Sequence, residues 1–120
     1  RKKEILIIFC FFLPLVFVIS KIAGYLYYNP RPFVAEHFKP SIYHIADNGF
    51  PSHHALLVSA IAAIISIFSR RIGLILWILA LGVGFSRVYV GVHHVVDIMG
   101  SILISIISVT LVYKFFRRMK

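Results

Sequence analysis

Four apolar runs make up most of this sequence, and they limit what the chain can fold into. They span about residues 5–28, 52–68, 72–88 and 92–116, and the first continues through Pro14 without a charge until Lys21. A helix of about 24 residues is about 36 Å long, enough to cross a hydrocarbon core of roughly 30 Å. With 60% hydrophobic and 14% charged residues, an ordinary water-soluble domain is excluded. We therefore predict an all-α fold, a polytopic membrane bundle of four transmembrane helices forming one domain over residues 1–120.

The basic residues are divided unevenly between the two sides of such a bundle. Nine of the 13 Lys and Arg residues lie before the first run, between the second and third, or at and beyond the end of the fourth. With four crossings these groups face one side, which the positive-inside rule makes cytoplasmic. We therefore predict cytoplasmic termini in a multi-pass cell-membrane protein. Membrane orientation explains the net charge of +9, so no nucleic-acid partner is expected.

The opposite, extracytoplasmic side receives the 29–51 loop and the turn between the third and fourth runs. All six histidines lie there or at helix ends facing it: His37, His44, His53, His54, His93 and His94. Tyrosines near these ends, Tyr43 among them, are expected to form an aromatic belt at the membrane interface. The sequence thus predicts a polar site on the outer side.

Cations and a helix start on that side point to an anion. Lys21, Arg31 and Arg87 have few acidic residues nearby, and the planar fork of Arg fits phosphate oxygens in pairs. Pro51-Ser52 precedes the second run, and a helix start leaves backbone N–H groups free to bind an anion. These residues predict a cradle for a phosphoryl group.

Two histidines and one carboxylate add reactive groups to the cradle. His93 and Asp97 have i,i+4 spacing, which would place both on one helix face. Asp97 can then accept a hydrogen bond from one ring nitrogen and leave the other as a nucleophile. His54, at the mouth of another helix, could protonate a leaving oxygen. This set fits phosphoryl transfer through a phosphohistidine, without a metal or other cofactor.

Three segments of the sequence resemble, in order, the three signatures of the phosphatidic acid phosphatase type 2 superfamily. They are ArgPro at 31–32, ProSerHisHis at 51–54 and SerArg-x5-His-x3-Asp at 86–97. The resemblance covers about residues 21–100. It implies His93 as the nucleophile, Asp97 as its orienting acid and His54 as the general acid. It also implies that Arg31, Ser52 and Arg87 bind the phosphoryl oxygens.

Two positions depart from the family pattern. The pattern places a lysine at position 24, where this chain has Gly24, and Lys21 lies one helical turn further back. The second signature is ProSerGlyHis, and His53 replaces its glycine. Lys21 and His53 are therefore further candidates for the phosphate site. Members often have two crossings before the first signature, whereas one is expected here, as in a chain with a missing or minimal N-terminal part.

The resemblance implies an integral-membrane lipid phosphatase at the outer membrane face, with undecaprenyl diphosphate as the expected substrate. The alternative substrate is phosphatidate or phosphatidylglycerophosphate. A second class of function is a metal site or transporter using His53, His54, His93, His94 and Asp97. Arg31 and Arg87 oppose that class because they would repel a divalent cation. A third class is a non-catalytic membrane scaffold.

Overall fold

The computed structural model describes residues 2–39, 42 and 45–119. Five helices follow one another: α1 (Lys2–Leu26), α2 (Pro32–Ala35), α3 (His53–Phe68), α4 (Arg70–Tyr89) and α5 (Val95–Met119). Within the described residues the β-type pairing is one isolated bridge between Pro30 and Asn48. The prediction of an all-helical fold is confirmed.

Three of the described helices are long and apolar enough to cross a membrane: Lys3–Leu26, Arg70–Tyr89 and Val95–Arg118. α3 is apolar but has 16 residues, which corresponds to about 24 Å and falls short of a core of roughly 30 Å. The prediction of four full crossings is therefore confirmed for three helices and not for α3.

The helix ends differ from the predicted runs where polar residues extend or cap a helix. α1 begins at Lys2 and α4 at Arg70, because Lys and Arg are good helix formers and join the adjoining apolar run. Ser69 ends α3 and caps α4, since its side chain accepts from the backbone N–H of Ile72. The predicted 29–51 loop contains the short helix α2, and α5 begins at Val95 rather than at 92.

The helices pack through small residues. α3 lies between α4 and α5, and α1 packs against α5. Ser59 of α3 and Ser105 of α5, both fully buried, are joined by a 2.8 Å hydrogen bond between their Oγ atoms. The neighbouring Ala60 and Ala63 of α3 are also buried. In lipid no hydrophobic force drives helices together, so their association relies on close packing, which small side chains permit.

The antiparallel order brings the outer segments together at one end of a bundle 53 Å long. At this end Asn29, just after α1, contacts Asp97 at the start of α5. Toward the other end, the rings of Phe11 and Phe115 have centroids 6.0 Å apart. The basic start of α1, the α3–α4 junction and the basic end of α5 therefore lie away from the polar clusters.

Candidate active site

Hydrogen bonds from Asn48 hold the segment that follows α1 in place. Asn48 donates from Nδ2 to the carbonyl of Gly24 at 2.9 Å. Its Oδ1 accepts from the backbone N–H groups of Asn29 and Phe50, each at 3.0 Å. The next residue, Gly49, lies in a crowded position, because a Cβ there would lie 3.1 Å from Asp97 Oδ2 and 3.3 Å from Arg31 Cγ. This close turn fixes the position of Arg31.

His93 and Asp97 form a buried pair. His93 Nδ1 lies 3.3 Å from Asp97 Oδ2, and the two residues are 2% and 0% exposed. Asn29 Nδ2 donates to Asp97 Oδ1 at 2.8 Å, and the backbone N–H of His94 donates to Oδ2 at 2.9 Å. These donors stabilise the ionised carboxylate and fix its orientation.

The expectation that His93 and Asp97 share a helix face was wrong. α5 begins at Val95, so His93 lies in the preceding turn and Asp97 in the first helical turn. The bond from the His94 N–H to the Asp97 carboxylate resembles one half of a capping box, which satisfies a free backbone donor at a helix start. The helix start therefore sets the contact between His93 and Asp97.

Arg31 connects this pair to the loop. Its Nη1 lies 3.1 Å from His93 Nε2 and donates to the Val92 carbonyl at 3.0 Å. Its Nε and Nη2 each lie 2.8 Å from Asp47 Oδ1, and Nη2 also donates to the Asn48 carbonyl at 3.3 Å. These contacts occupy the five N–H groups of a guanidinium that is 5% exposed.

The hydrogen-bond pattern assigns the His93 tautomer. Asp97 accepts only, so Nδ1 carries the proton, and Nε2 presents its lone pair to Arg31. With the proton on Nδ1, Nε2 is the nucleophilic nitrogen of the ring, and in this structure its lone pair accepts from an Arg31 N–H.

Arg87 is a second cation beside Arg31, and its side chain is half-buried. It lies in the last turn of α4, close enough to Arg31 for their positive charges to repel. Its Nε is buried and has no hydrogen-bond partner within the described part of the chain. Burying like charges and an unpaired donor costs free energy, which a bound anion would offset.

The start of α3 is fixed against the start of α5. Ser52 is fully buried, its Oγ accepts from the Ala55 N–H at 3.3 Å, and its own N–H donates to the Asp97 carbonyl at 3.4 Å. Ser101 Oγ lies 2.9 Å from the Ser52 carbonyl and 2.8 Å from that of Asp97. Ser52 is therefore the N-cap of α3, and its Oγ occupies the Ala55 N–H, one of the backbone donors predicted to be free. The Ser52 O–H itself remains available to donate. His54 is exposed in the first turn of α3.

Lys21 and His53 lie together in a neighbouring cleft of about 300 Å³, with Asp47 also on its wall. Lys21 Nζ lies 5.4 Å from the centroid of the Phe17 ring. Position 24 faces the loop, and a Cβ there would lie 3.2 Å from the Phe50 carbonyl oxygen. A side chain at position 24 would crowd this carbonyl, and Gly24 avoids that contact.

The pKa of His53 is lowered from its ordinary value. Partial desolvation in the cleft is the main cause, and the positive charges of Lys21 and Arg31 add to it. Without a bound anion the neutral form of the ring is therefore favoured.

The remaining outer histidines do not extend this site into a metal centre. His94 Nε2 lies 3.1 Å from the Pro30 carbonyl, and His37 is an exposed loop residue with a φ of 58°. His44 and Tyr43 lie outside the described residues. Across residues 2–39, 42 and 45–119, no group of three or more His, Cys, Asp or Glu comes together to hold a metal ion.

The structure thus joins Arg31, His93 and Asp97, with Arg87 beside them. Sequence reasoning missed four residues that position this group: Asn29, Asp47, Asn48 and Gly49. Asn29 lies two residues before the ArgPro signature, and Gly49 follows an asparagine. Neither pattern by itself indicates a contact across 68 residues, such as that from Asn29 to Asp97.

Comparisons with known proteins show the family of the chain. The family model described as the PAP2 superfamily matches residues 5–120. Undecaprenyl-diphosphatase BcrC of Bacillus subtilis is 41% identical over 98 residues, covering 82% of this chain and 51% of the relative. The chain thus spans about half the length of that curated relative.

Two solved structures share the fold. The crystal structure of Aquifex aeolicus LpxE matches with a TM-score of 0.79 and 26% identity, over 93% of this chain and 68% of that one. A transmembrane PAP2-type phosphatidylglycerolphosphate phosphatase from Bacillus subtilis matches with a TM-score of 0.73 and 25% identity, over 96% and 60%. Since a family model spans nearly the whole chain and these structures have the same fold, this chain belongs to the PAP2 superfamily.

Proposed function

We propose that this protein is a membrane lipid phosphatase that hydrolyses a phosphate or diphosphate ester through a phosphohistidine. The observation that carries the proposal is the continuous series of contacts from Arg31 through His93 to Asp97, buried at one end of an apolar bundle. It supplies a phosphate-binding cation, a nucleophile with its lone pair exposed to that cation, and an orienting carboxylate.

In the first step His93 Nε2 forms a bond to phosphorus, and the bond from phosphorus to the lipid oxygen breaks. His54 donates a proton to the leaving oxygen. Asp97 stabilises the positive charge that develops on the His93 ring. In the second step water attacks phosphorus, His54 takes its proton, the N–P bond breaks and phosphate leaves.

Phosphate binding requires Arg31 to exchange a partner. Its N–H groups are occupied in this structure, and the partner best able to leave is the Asp47 carboxylate, whose side chain is 56% exposed. A phosphoryl oxygen would replace that carboxylate, while Arg87 and the Ser52 hydroxyl supply further donors. As Arg31 turns to phosphate, the lone pair of His93 Nε2 is released for attack.

The expected substrate is undecaprenyl diphosphate. The 41% identity to an undecaprenyl-diphosphatase supports it, and a site at the helix ends suits an amphiphile whose tail remains in the bilayer. The alternative is phosphatidate or phosphatidylglycerophosphate, and the similarity to the phosphatidylglycerolphosphate phosphatase structure favours the latter.

The proposed orientation places the site on the extracytoplasmic face of the cell membrane. It is supported by the basic residues at the opposite end of the bundle, including Arg70, Arg71 and Lys114. A metal-dependent hydrolase or transporter is the competing class. It is less compatible with the site, because Arg31 and Arg87 would repel a divalent cation beside His93.

The deciding experiment measures phosphate release by purified protein in detergent from polyprenyl diphosphate, polyprenyl monophosphate, phosphatidate and phosphatidylglycerophosphate. We expect turnover of at least one lipid that persists in a strong chelator and is inhibited by vanadate. His93→Ala should abolish it, and full activity in that variant would refute the mechanism. Loss of activity in the chelator would instead favour the metal class.

A further inference from the structure

We propose that Lys21 and His53 form a second phosphate subsite that gives this protein a preference for lipid diphosphates over lipid monophosphates. The inference deepens the proposed function and rests on it. It concerns the phosphate attached to the lipid, whereas Arg31 and His93 hold the terminal phosphate that is attacked.

Two adjoining cavities place Lys21 and His53 between polar and apolar surroundings. The cleft of about 300 Å³ is polar at the loop, where Asp47 and Asn48 line it. A second cavity of about 250 Å³ runs between α1 and α3 and is lined mainly by apolar side chains such as Leu13, Leu56 and Leu57. Ser20, Lys21 and His53 line both cavities. A hydrocarbon tail in the apolar cavity would therefore place its first polar group at Lys21 and His53.

This junction lies beside the proposed nucleophile. His53 directly follows Ser52, whose backbone N–H donates to the carbonyl of Asp97. The His53 ring also interacts electrostatically with Arg31 and His93. A group bound at the junction is thus next to the phosphoryl cradle, on the side from which the lipid tail would arrive.

A diphosphate fits this arrangement because its two phosphates have different roles. When His93 Nε2 bonds to the terminal phosphorus, the bond to the bridging oxygen breaks and its electron pair stays with the lipid monophosphate. The leaving group gains negative charge, which Lys21 and a proton-donating His53 would stabilise. A lipid monophosphate lacks this second phosphate and gains nothing from the subsite.

The two departures from the family pattern then belong together. Gly24 accommodates the Phe50 carbonyl, so the cation of α1 lies one turn back at Lys21. His53 takes the place of a glycine and adds a second donor facing the same cleft.

The test compares kcat/KM for a polyprenyl diphosphate and a polyprenyl monophosphate of the same chain length, using the full chain in detergent. We expect the wild type to prefer the diphosphate. His53→Gly, which restores the family residue, and Lys21→Ala should each lower the diphosphate value roughly tenfold or more, as expected for a lost charge-assisted contact. The kcat/KM for the monophosphate should change less than about threefold, because this substrate has no second phosphate to lose the contact.

Matched controls are His37→Gly, an exposed loop histidine, and Lys114→Ala at the opposite end of the bundle; both should retain the wild-type ratio. An equal loss on both substrates in His53→Gly and Lys21→Ala, or no loss on either, would overturn the subsite. A different result, full activity in His93→Ala, would refute the proposed function itself. Because Lys21 is exposed on α1, its variant decides the question even if His53→Gly folds poorly.

Discussion

The His93 imidazole is held between two groups that act on opposite ring nitrogens. Asp97 faces Nδ1 and Arg31 faces Nε2, at 3.3 and 3.1 Å. The carboxylate fixes the proton on Nδ1, and the Nε2 lone pair accepts from Arg31. In the proposed mechanism the ring is therefore oriented before substrate arrives, and its lone pair becomes free once Arg31 turns to phosphate.

Removing the charge of Asp97 tests this arrangement. We expect Asp97→Asn to lower kcat by about 10²–10⁴-fold, by analogy with the orienting acid of a catalytic triad. The amide cannot stabilise the imidazolium, and in either orientation its NH₂ group would face a donor: Asn29 at the Oδ1 position, or His93 and His94 at the Oδ2 position. Phosphate release is the measurement, and a thermal unfolding scan separates catalysis from folding. Wild-type activity in Asp97→Asn, with His93→Ala inactive, would show that the pair is not coupled.

Geometry, as well as charge, should matter at the two arginines. Arg31→Lys and Arg87→Lys are each expected to lower kcat roughly 30- to 1000-fold, because a lysine meets phosphoryl oxygens as a point charge and loses the paired contact. The measurement is kcat for each of the two variants, with Lys114→Ala as the control. Near-wild-type rates in both would mean that these arginines are membrane-interface anchors.

The sequence was sufficient to predict that Arg31, His93 and Asp97 come together, and insufficient to predict the residues that position them. His93, Asp97 and Arg31 lie in segments with fixed spacing and carry chemistry that few other residues supply. Asn29 and Asn48 act through contacts between chain segments 19 or more residues apart. Such contacts depend on how α1, the loop and α5 meet, which local sequence does not specify.

At the scale of the helices, two glycines of α4 face different surroundings. At Gly84 of α4 an added Cβ would lie 2.6 Å from Ile98 Cγ2 of α5, whereas at Gly82 it would meet nothing within 4 Å. Gly84 therefore permits the approach of α4 to α5, and Gly82 has no such role.

Alanine at the two glycines should change stability in opposite directions. Gly84→Ala is expected to destabilise the protein by about 1–3 kcal/mol through overpacking against a stiff β-branched side chain. Gly82→Ala should stabilise it by about 0.5–1 kcal/mol through helix propensity. Thermal unfolding in the same detergent measures both. A stability loss in Gly82→Ala equal to that in Gly84→Ala would contradict this view of the α4–α5 contact.

Apolar length predicted which segments are helical, but the helix ends depend on caps. α5 begins at Val95 and not at the predicted residue 92, so His93 lies before the helix. The signal was present in part, since Asp97 is the acidic residue of the first turn and such residues satisfy N-terminal donors. α2 could not be foreseen from periodicity because it has four residues.

At the scale of the whole molecule, the fold separates the reactive end from the basic end. The polar clusters of residues 29–33, 50–55 and 86–97 lie at one end of the bundle, and the basic termini and the α3–α4 junction lie at the other. A bundle 53 Å long exceeds a hydrocarbon core of roughly 30 Å, so the two ends would lie on opposite sides of a membrane.

The sidedness can be measured by cysteine labelling in intact cells. The native Cys10 is exposed and is first replaced by serine. In that background Ile45→Cys, at a loop residue that is 66% exposed, should react with an impermeant thiol reagent added from outside. Arg71→Cys, at the α3–α4 junction, should react only after the cells are opened, because the positive-inside rule places basic residues in the cytoplasm. Retained phosphatase activity in both variants ensures that the native topology is being read. Labelling of position 71 alone in intact cells would reverse the orientation, and a lipid phosphate in the inner leaflet would then be the substrate.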